Sequence, residues 1–402
     1  FLGMLGNMMN FLAYLFMGIP AGKLLSKIGY KKTALLAIAI GFLGIFIQFL
    51  SGKVGVNSEL FSLPANFFVY LAGAFVAGFS VCMLNTVVNP MLNLLGGGGN
   101  KGNMLLQIGG SFNSLAGTLT PMFVGALIGD ITKERIVSGE ITITNINPVL
   151  FIALGVFAAA FLILSFIPIS DPESAKKAGD AASFKHSPWN FRHFILGAIG
   201  IFIYVGVEIG IPGTLNFYLA DISDKGAGLN PDVAAGIAGF VAGTYWFLML
   251  IGRFIGGIIG GKVSSKAMLT SVSATGILLV TIAILLPREI TTSMPVFTGS
   301  SFSLVQVPLT ALLLVLCGLC TSIMWGGIFN LAVEGLGKYT AAASGIFMMM
   351  VVGGGILPLV QNWIADISTY QASYLVIIAG LAYMLWYALI GCKNVNKDIP
   401  VE

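Results

Sequence analysis

The sequence has few charged side chains for its length. Of its 402 residues, 9% are charged and 57% are hydrophobic, and the mean hydropathy is +0.95. A water-soluble domain carries about 25% charged residues. The scarcity of charge therefore excludes an ordinary soluble domain, and it indicates that most of the chain lies in lipid.

Histidine and cysteine, the residues that most metal centres use, are also scarce. The chain has two histidines and four cysteines, and three of the cysteines lie inside apolar runs. Cys317 and Cys320 have the spacing of one helix face, but no histidine or second cysteine pair accompanies them. We therefore expect free thiols, no metal site, no cofactor and no catalytic Ser-His-Asp set.

Long apolar runs are what the sequence has instead. About 20 apolar residues cross a bilayer as a helix, and backbone groups in lipid must be satisfied within the helix. The sequence therefore predicts an all-α membrane protein. Its eleven predicted spans are residues 2–22, 33–51, 66–92, 104–128, 147–168, 194–219, 233–259, 267–286, 308–332, 340–364 and 372–391.

Basic residues concentrate on one side of this predicted topology. Fifteen of the twenty, with Arg253 counted among them, fall on the side that includes the C-terminus, and five fall on the other. The positive-inside rule makes the richer side cytoplasmic. No nucleic-acid partner is expected. Since eleven spans would leave residue 1 outside, and the chain begins with Phe1, we expect one further helix to precede this sequence.

Short patterns recur along the chain. "GKLLSK" (22–27) returns as "GKVSSK" (261–266), and "GTLTP" (117–121) returns as "GGILP" (354–358), at nearly the same offset. Such internal repeats are typical of transporters. We expect an N-terminal half in residues 1–168, a polar cytoplasmic linker in 169–193 and a C-terminal half in 194–402.

Several stretches resemble one known family. "PAGKLLSKIGYKK" (20–32) is similar to the loop between helices two and three of the major facilitator superfamily, with Gly22, Gly29 and Lys31 in register and Ser26 in place of the usual acid. Other stretches resemble its fucose permease-like branch, the fucose–galactose–glucose:proton symporters. These stretches are "MLNTVVNPMLNLLG" (83–96), "QIGGSFNSLAGTLTP" (107–121), "YVGVEIGIPG" (204–213), "GLCTSIMWGGIFNLAVEGLG" (318–337) and "VVGGGILPLVQNWIAD" (351–366).

The resemblance implies two six-helix half-bundles, of which helices 2–6 and 7–12 are in this sequence. It also implies a monomer in the bacterial inner membrane that imports a hexose or deoxyhexose by alternating access, coupled to protons or, as a second option, to Na⁺. Gly22, Ser26, Gly29 and Lys31 would then belong to the gating loop. This chain departs from the family in helix four, where Asn85 replaces a membrane-embedded Glu.

Glu208 is the one acid inside the apolar run 194–220. A charged carboxylate at the bilayer centre costs about 2.5–3.5 kcal/mol on insertion scales, and burial favours its neutral form. Such a group can take up and release a proton, which makes Glu208 the candidate for proton coupling or substrate contact. The alternative is a structural acid that bonds a neighbouring helix.

Amides and aromatic rings are the candidate sugar contacts. Amides match sugar hydroxyls, and flat rings stack on sugar C–H faces. Asn85 shares a helix face with Asn89, for which we favour a structural role beside Pro90. Arg253 is expected near the cytoplasmic end of its span, as a latch and not as a sugar contact. The candidate substrate-binding residues are Asn85, Gln107, Asn113, Tyr204, Glu208, Trp325, Asn330 and Gln361.

Other functions stay open at this point. A uniporter or an exporter of sugar or drug-like solutes would have the same pattern, because direction is not written in the sequence. A non-transporting membrane sensor is a rival from another class, although no extra signalling domain is visible in the 402 residues. An integral membrane enzyme is a weaker third possibility, because the spans contain no catalytic constellation.

Overall fold

The computed structural model describes residues 4–61, 63–95, 99–128, 143–169, 186–260, 262–297, 301–396 and 398–401. Within them the chain is almost entirely helical, as the apolar runs predict. The helices are α1 (Leu5–Leu50), α2 (Ala65–Leu95), α3 (Gly99–Ile128), α4 (Asn147–Phe166), α5 (Arg192–Ala220), α6 (Pro231–Ile259), α7 (Ser265–Leu285), α8 (Leu309–Thr321), α9 (Met324–Val333), α10 (Thr340–Met350), α11 (Gly353–Ile367), α12 (Tyr370–Ser373) and α13 (Leu375–Trp386). A π-helical turn follows at Tyr387–Gly391, and short 3₁₀ turns occupy Ile143–Ile146, Pro188–Asn190 and Gly337–Tyr339.

Helix α1 contains two membrane-spanning limbs. They are Leu5–Leu25 and Lys27–Leu50, and the chain bends near the start of the second limb, at Gly29, whose φ is +81°. Only glycine adopts this left-handed conformation without strain. The Thr33 hydroxyl donates to the Gly29 carbonyl at 2.7 Å and closes the first turn after the bend. The loop expected at 23–32 is therefore mostly helical, because both helices continue past the apolar run.

Two spans are broken in the middle. Helices α8 and α9 together form the span Leu309–Val333, and α10 and α11 form most of the span Ala342–Ile367. Breaks at membrane depth are tolerated where neighbouring groups bond the freed carbonyls, and discontinuous helices are common in secondary transporters. The continuous helices expected over 308–332 and 340–364 are thus each two helices.

Ten segments of the described residues are long and apolar enough to cross a membrane. They coincide with ten of the eleven predicted spans. The eleventh, 104–128, is the helix α3, which carries amides and hydroxyls such as Gln107, Asn113 and Ser114 and is not among the ten. The prediction of an all-α, multi-pass membrane protein is confirmed.

The helices pack in two groups, which we call the N-terminal helices (α1–α4) and the C-terminal helices (α5–α13). Helix α2 packs along α1, while α5 packs against α6, α9 and α11. The groups meet along two seams: α3 lies on α6, and the first limb of α1 lies on α10 and α11. At the second seam Gly18 approaches the backbone of Met349 so closely that an added Cβ would lie 2.6 Å from its nitrogen.

The structure describes the end of the segment that we expect to link the two halves. Helix α5 begins at Arg192, and a 3₁₀ turn at Pro188–Asn190 precedes it, so these residues of the expected 169–193 linker are helical. Residues 170–185 lie outside the described part of the chain.

A β-hairpin between α7 and α8 was not predicted. Strands β3 (Thr291–Phe297) and β4 (Phe302–Pro308) pair antiparallel, with Thr291 opposite Pro308. Met294 and Val296 are buried while their neighbours in β3 are more exposed, which is the alternation of a half-buried strand. A much shorter pair, β1 (Glu59–Leu60) and β2 (Leu63–Pro64), joins α1 to α2.

Candidate functional site

Glu208 and Arg253 form a buried ion pair. Arg253 Nη2 lies 3.1 Å from Glu208 Oε1, and the two side chains are 9% (Arg253) and 11% (Glu208) exposed. Glu208 is near the middle of α5, and Arg253 comes from α6. The acid that is isolated in the sequence is therefore paired in the fold, as charges inside membranes usually are.

The same guanidinium also bonds the N-terminal helices. Arg253 Nη1 donates to the Gly110 carbonyl at 2.6 Å and to Ser114 Oγ at 2.7 Å, and both acceptors belong to α3. Its Nε donates at 3.3 Å to the Ser322 carbonyl, at the break between α8 and α9. One side chain thus joins α3 to three C-terminal helices, since it is itself part of α6 and contacts α5 and the α8–α9 junction.

The placement of Arg253 corrects the charge count made from the sequence. The topology predicted from the sequence groups Arg253 with the loop residues of the basic side, but Arg253 lies inside a candidate span, six residues before α6 ends. At 1.5 Å per residue this is about 9 Å from the end of the helix. The sequence signal that indicates the pair is simple: two opposite charges each stand alone inside an apolar run.

Two tyrosines lie beside the ion pair. Tyr204, one turn before Glu208 on α5, is fully buried, and its hydroxyl makes no hydrogen bond of standard geometry with the described residues although both charged groups are adjacent. The Tyr245 hydroxyl of α6 bonds Thr321 Oγ1 at 2.7 Å. Tyr245 was not predicted from the sequence, because nothing in the local pattern separates it from a core tyrosine.

Trp325 lies next to Tyr204. Their ring centroids are 6.3 Å apart at an interplanar angle of 56°, and Trp325 is half-buried near the start of α9. The structure therefore brings together three of the predicted substrate contacts, Tyr204, Glu208 and Trp325, on the C-terminal helices.

The predicted amides of the N-terminal helices are more dispersed. Asn85 is half-buried and donates to the Tyr14 hydroxyl of α1 at 2.8 Å. Gln107 is buried on α3, and its Cβ lies 3.7 Å from the position a Cβ would take at Gly257 of α6. Asn113 is exposed on the same helix.

The predicted amides of the C-terminal helices are Gln361 and Asn330, and Gln361 makes no hydrogen bond to the ion pair. Gln361 is fully buried, and its amide oxygen packs against Gly210 of α5. Neither polar atom of the Gln361 amide has a hydrogen-bond partner among the described residues. Its neighbour Asn362 donates to Thr214 Oγ1 at 3.1 Å. Asn330 is half-buried near the end of α9.

The residues of the gating-loop motif lie where helices meet. Gly22 is close to Gly345 of α10, and Gly29 makes the bend of α1. Lys31 Nζ donates to the Ser165 carbonyl at 2.8 Å, in the last turn of α4. The side chain of Ser26 lies outside the described part of the structure.

Within the described residues no group of three or more His, Cys, Asp or Glu side chains could hold a metal ion. The buried His193 bonds the Glu334 carbonyl through Nε2 at 2.9 Å, which is a structural contact. The four cysteines are free and buried.

Secondary transporters commonly combine two helix groups with broken spans and polar groups between the groups. In its described residues, this structure has two seams between its helix groups, two broken spans and a buried polar cluster at the α3–α6 seam. The chain matches the family model of the Major Facilitator Superfamily over residues 2–357. It therefore belongs to that superfamily of membrane transporters, as its motifs indicated.

Its relatives identify the branch. The chain is 31% identical over 389 residues to the glucose/galactose transporter of Brucella abortus (strain 9-941), an alignment that covers 95% of this chain and 83% of that protein. It is 28% identical over 393 residues to a putative glucose/galactose transporter of Helicobacter pylori (strain 26695), covering 95% and 86%. The L-fucose-proton symporter of Escherichia coli K12 is 23% identical over 374 residues, covering 89% and 77%.

Solved structures show the same fold. A single-substitution variant of the E. coli fucose:proton symporter superposes with a TM-score of 0.70 at 19% identity, covering 98% of this chain and 91% of that one. A structure of FucP in the outward conformation gives 0.68 at 18% identity, covering 98% and 90%. The chain thus belongs to the fucose permease-like branch, and the predictions of family and fold are confirmed.

Proposed function

We propose that this protein imports a neutral hexose across the bacterial cytoplasmic membrane, driven by a proton gradient. The observation that carries the proposal is the similarity to glucose/galactose transporters, which extends over 95% of the chain. Glucose and galactose are the first substrates to test, and fucose is the third.

The packing supports transport by alternating access. In the proposal, the N-terminal and C-terminal helices are two half-bundles that rock against each other along the α3–α6 seam and the α1–α10/α11 seam. The basic loops face the cytoplasm, and so does the C-terminus, by the positive-inside rule.

Side chains near the seams supply sugar-binding chemistry. Asn85 and Gln107 offer amide donors and acceptors from the N-terminal helices, while Tyr204 and Trp325 offer ring faces from the C-terminal helices. In the proposal, a sugar between the groups contacts both, so that its binding and release accompany their relative movement.

Proton coupling is assigned to Glu208. Among the described residues it is the one carboxylate in a span that is far from a helix end. The fucose-proton symporter of E. coli is a relative whose transport is proton-linked by name. The proposal therefore gives Glu208 the proton and Arg253 the role of its counter-ion.

Uptake into proteoliposomes tests the proposal. The purified protein should accumulate labelled glucose or galactose when the outside is more acidic, and a sodium gradient should not replace the pH gradient. Glu208→Gln should abolish accumulation while sugar counterflow, which needs no gradient, survives. Glu334→Gln is the matched control, because Glu334 is exposed and lies outside the ion pair. Accumulation that persists in Glu208→Gln would reject the coupling role.

Sugar affinity tests the binding role of one amide. Asn85→Ala should weaken sugar binding measured by counterflow, whereas Asn89→Ala, the same change one turn along α2, should leave the affinity for sugar unchanged. Equal affinities in the two variants would assign Asn85 to helix packing through Tyr14.

A further inference from the structure

The α3–α6 seam has an asymmetric set of hydrogen bonds around Arg253. Across the seam, among the described N-terminal helices, Arg253 donates to two neutral acceptors, the Gly110 carbonyl and Ser114 Oγ. Its contact with Glu208 is the one that carries opposite charge. Arg253 thus bonds across the seam, while its counter-ion Glu208 lies on the same side of the seam as Arg253, among the C-terminal helices.

Separation of α3 from α6 would break the two bonds across the seam. Arg253 would keep Glu208 and the Ser322 carbonyl, because both belong to its own helix group. The bonds from Arg253 to Gly110 and Ser114 therefore exist when the seam is closed and break when it opens. Hydrogen bonds to a charged donor are stronger than those between neutral groups.

Glu208 determines where the guanidinium can point. A planar guanidinium has its donors in a fixed fork, so binding Glu208 with Nη2 helps to aim Nη1 at α3. The charged and titratable groups that face Glu208 are Arg253 and Tyr245 from α6 and Tyr204 from its own helix. Among the described residues of α3 and the α8–α9 junction, the groups that contact Arg253 are uncharged: Ser114 Oγ and the Gly110 and Ser322 carbonyls.

We propose that Arg253 is the latch that holds the α3–α6 seam closed, and that Glu208 is a positioning residue which engages the latch only while it is ionised. A proton arriving at Glu208 removes the counter-charge, so the guanidinium loses its fixed orientation and its hold on α3. Where Glu208 carries the transported proton, as in the function proposed above, this links the proton to the opening of the seam.

A single reactive cysteine reports on the seam. Gly257→Cys places a thiol on α6 facing Gln107, where there is room for a Cβ. In a protein whose other cysteines are replaced by alanine, a maleimide reaches this thiol when α3 and α6 part. The rate of labelling then follows the open population. Labelling is measured in detergent without sugar or gradient.

Ser114→Ala and Glu208→Gln should each raise the labelling rate about threefold or more. A change of about threefold in the open population is what the loss of one ordinary interhelical hydrogen bond in a membrane protein produces. Ser111→Ala is the matched control on the same helix, because the Ser111 hydroxyl bonds the Gln107 carbonyl within α3. Its rate should be unchanged. Unchanged rates in Ser114→Ala and Glu208→Gln would overturn the proposal.

A second single-cysteine protein, which retains Cys317, distinguishes unfolding from opening of the seam. Cys317 is 1% exposed in the core of the C-terminal helices. Labelling of Cys317 should stay slow in every variant. If Cys317 becomes as reactive as the reporter on α6, the substitutions unfold the protein and the latch is rejected.

A charge swap separates a latch from mere charge neutralisation. Glu208→Arg combined with Arg253→Glu keeps opposite charges at the two positions, but a carboxylate at position 253 cannot donate to the Gly110 carbonyl. The seam should stay open, with labelling of Gly257→Cys as fast as in Glu208→Gln. Slow labelling in the swapped protein would show that the pair only neutralises charge. The labelling assay contains no sugar, so it tests the latch independently of the transport proposal. If the variants label as predicted but the protein takes up no hexose into proteoliposomes, the proposed substrate is rejected and the latch is not.

Discussion

Replacing Arg253 with methionine should destabilise the protein more than almost any other single substitution in α6. Methionine fills similar space but leaves Glu208 buried without a counter-charge. Breaking a buried pair from one side costs about 3–5 kcal/mol, and an unpaired charge in a membrane span costs about 2.5–3.5 kcal/mol on insertion scales. We therefore expect Arg253→Met to lower the free energy of unfolding by about 3 kcal/mol.

The double variant tests whether the two charges act on each other. Glu208→Met alone should also cost about 3 kcal/mol, because it leaves the cation unpaired. Since an apolar pair of similar volume can replace a buried ion pair at little cost, the double Met variant should lose less stability than either single variant, and far less than their sum of about 6 kcal/mol. The assay is reversible SDS titration in detergent micelles. Losses that add within about 0.5 kcal/mol would refute the reasoning, because contacting residues are expected to couple.

Three further substitutions test the seams and the bend. Gly18→Ala should slow sugar counterflow, because the new methyl would press on the facing backbone and overpacking costs about 1–3 kcal/mol. Gly243→Ala is the control and should leave counterflow unchanged, because nothing lies within 4 Å of the added Cβ. Gly29→Ala should lower the free energy of unfolding by about 1–2 kcal/mol through left-handed strain, and a loss below about 0.3 kcal/mol in the same titration would contradict it. Lys31→Met should cost about 0.3–1 kcal/mol by removing a cation from the C-terminal turn of α4, with high salt reducing the difference.

The spans could be predicted from the sequence because a bilayer imposes length and composition on each helix separately. Ten apolar runs correspond to ten candidate spans among the described residues. The breaks inside the spans could not be predicted in the same way. Glycines 353–355 follow one break, but glycine is frequent throughout a membrane protein, so the residue type does not distinguish a break from close packing.

The hairpin and the ion pair needed information from beyond the local pattern. The alternation through Met294 and Val296 is present in the sequence, but it lies in a segment between two spans, where the apolar runs that predict the spans give no signal for a strand. The pairing of Glu208 with Arg253 connects positions 45 residues apart, and it depends on how α5 and α6 are oriented. The contact with Ser114 depends in addition on the packing of the two helix groups.

A reversible cross-link across the α3–α6 seam tests most directly whether the two helix groups must part for transport. The Gln107 Cβ lies 3.7 Å from the Cβ position at Gly257, within the range that disulfides span. With the native cysteines replaced, Gln107→Cys combined with Gly257→Cys should form a disulfide under mild oxidation, and sugar counterflow should fall to the level of empty liposomes. Reduction should restore counterflow to its level before oxidation. Counterflow that continues at full rate in the fully oxidised protein would contradict movement at this seam.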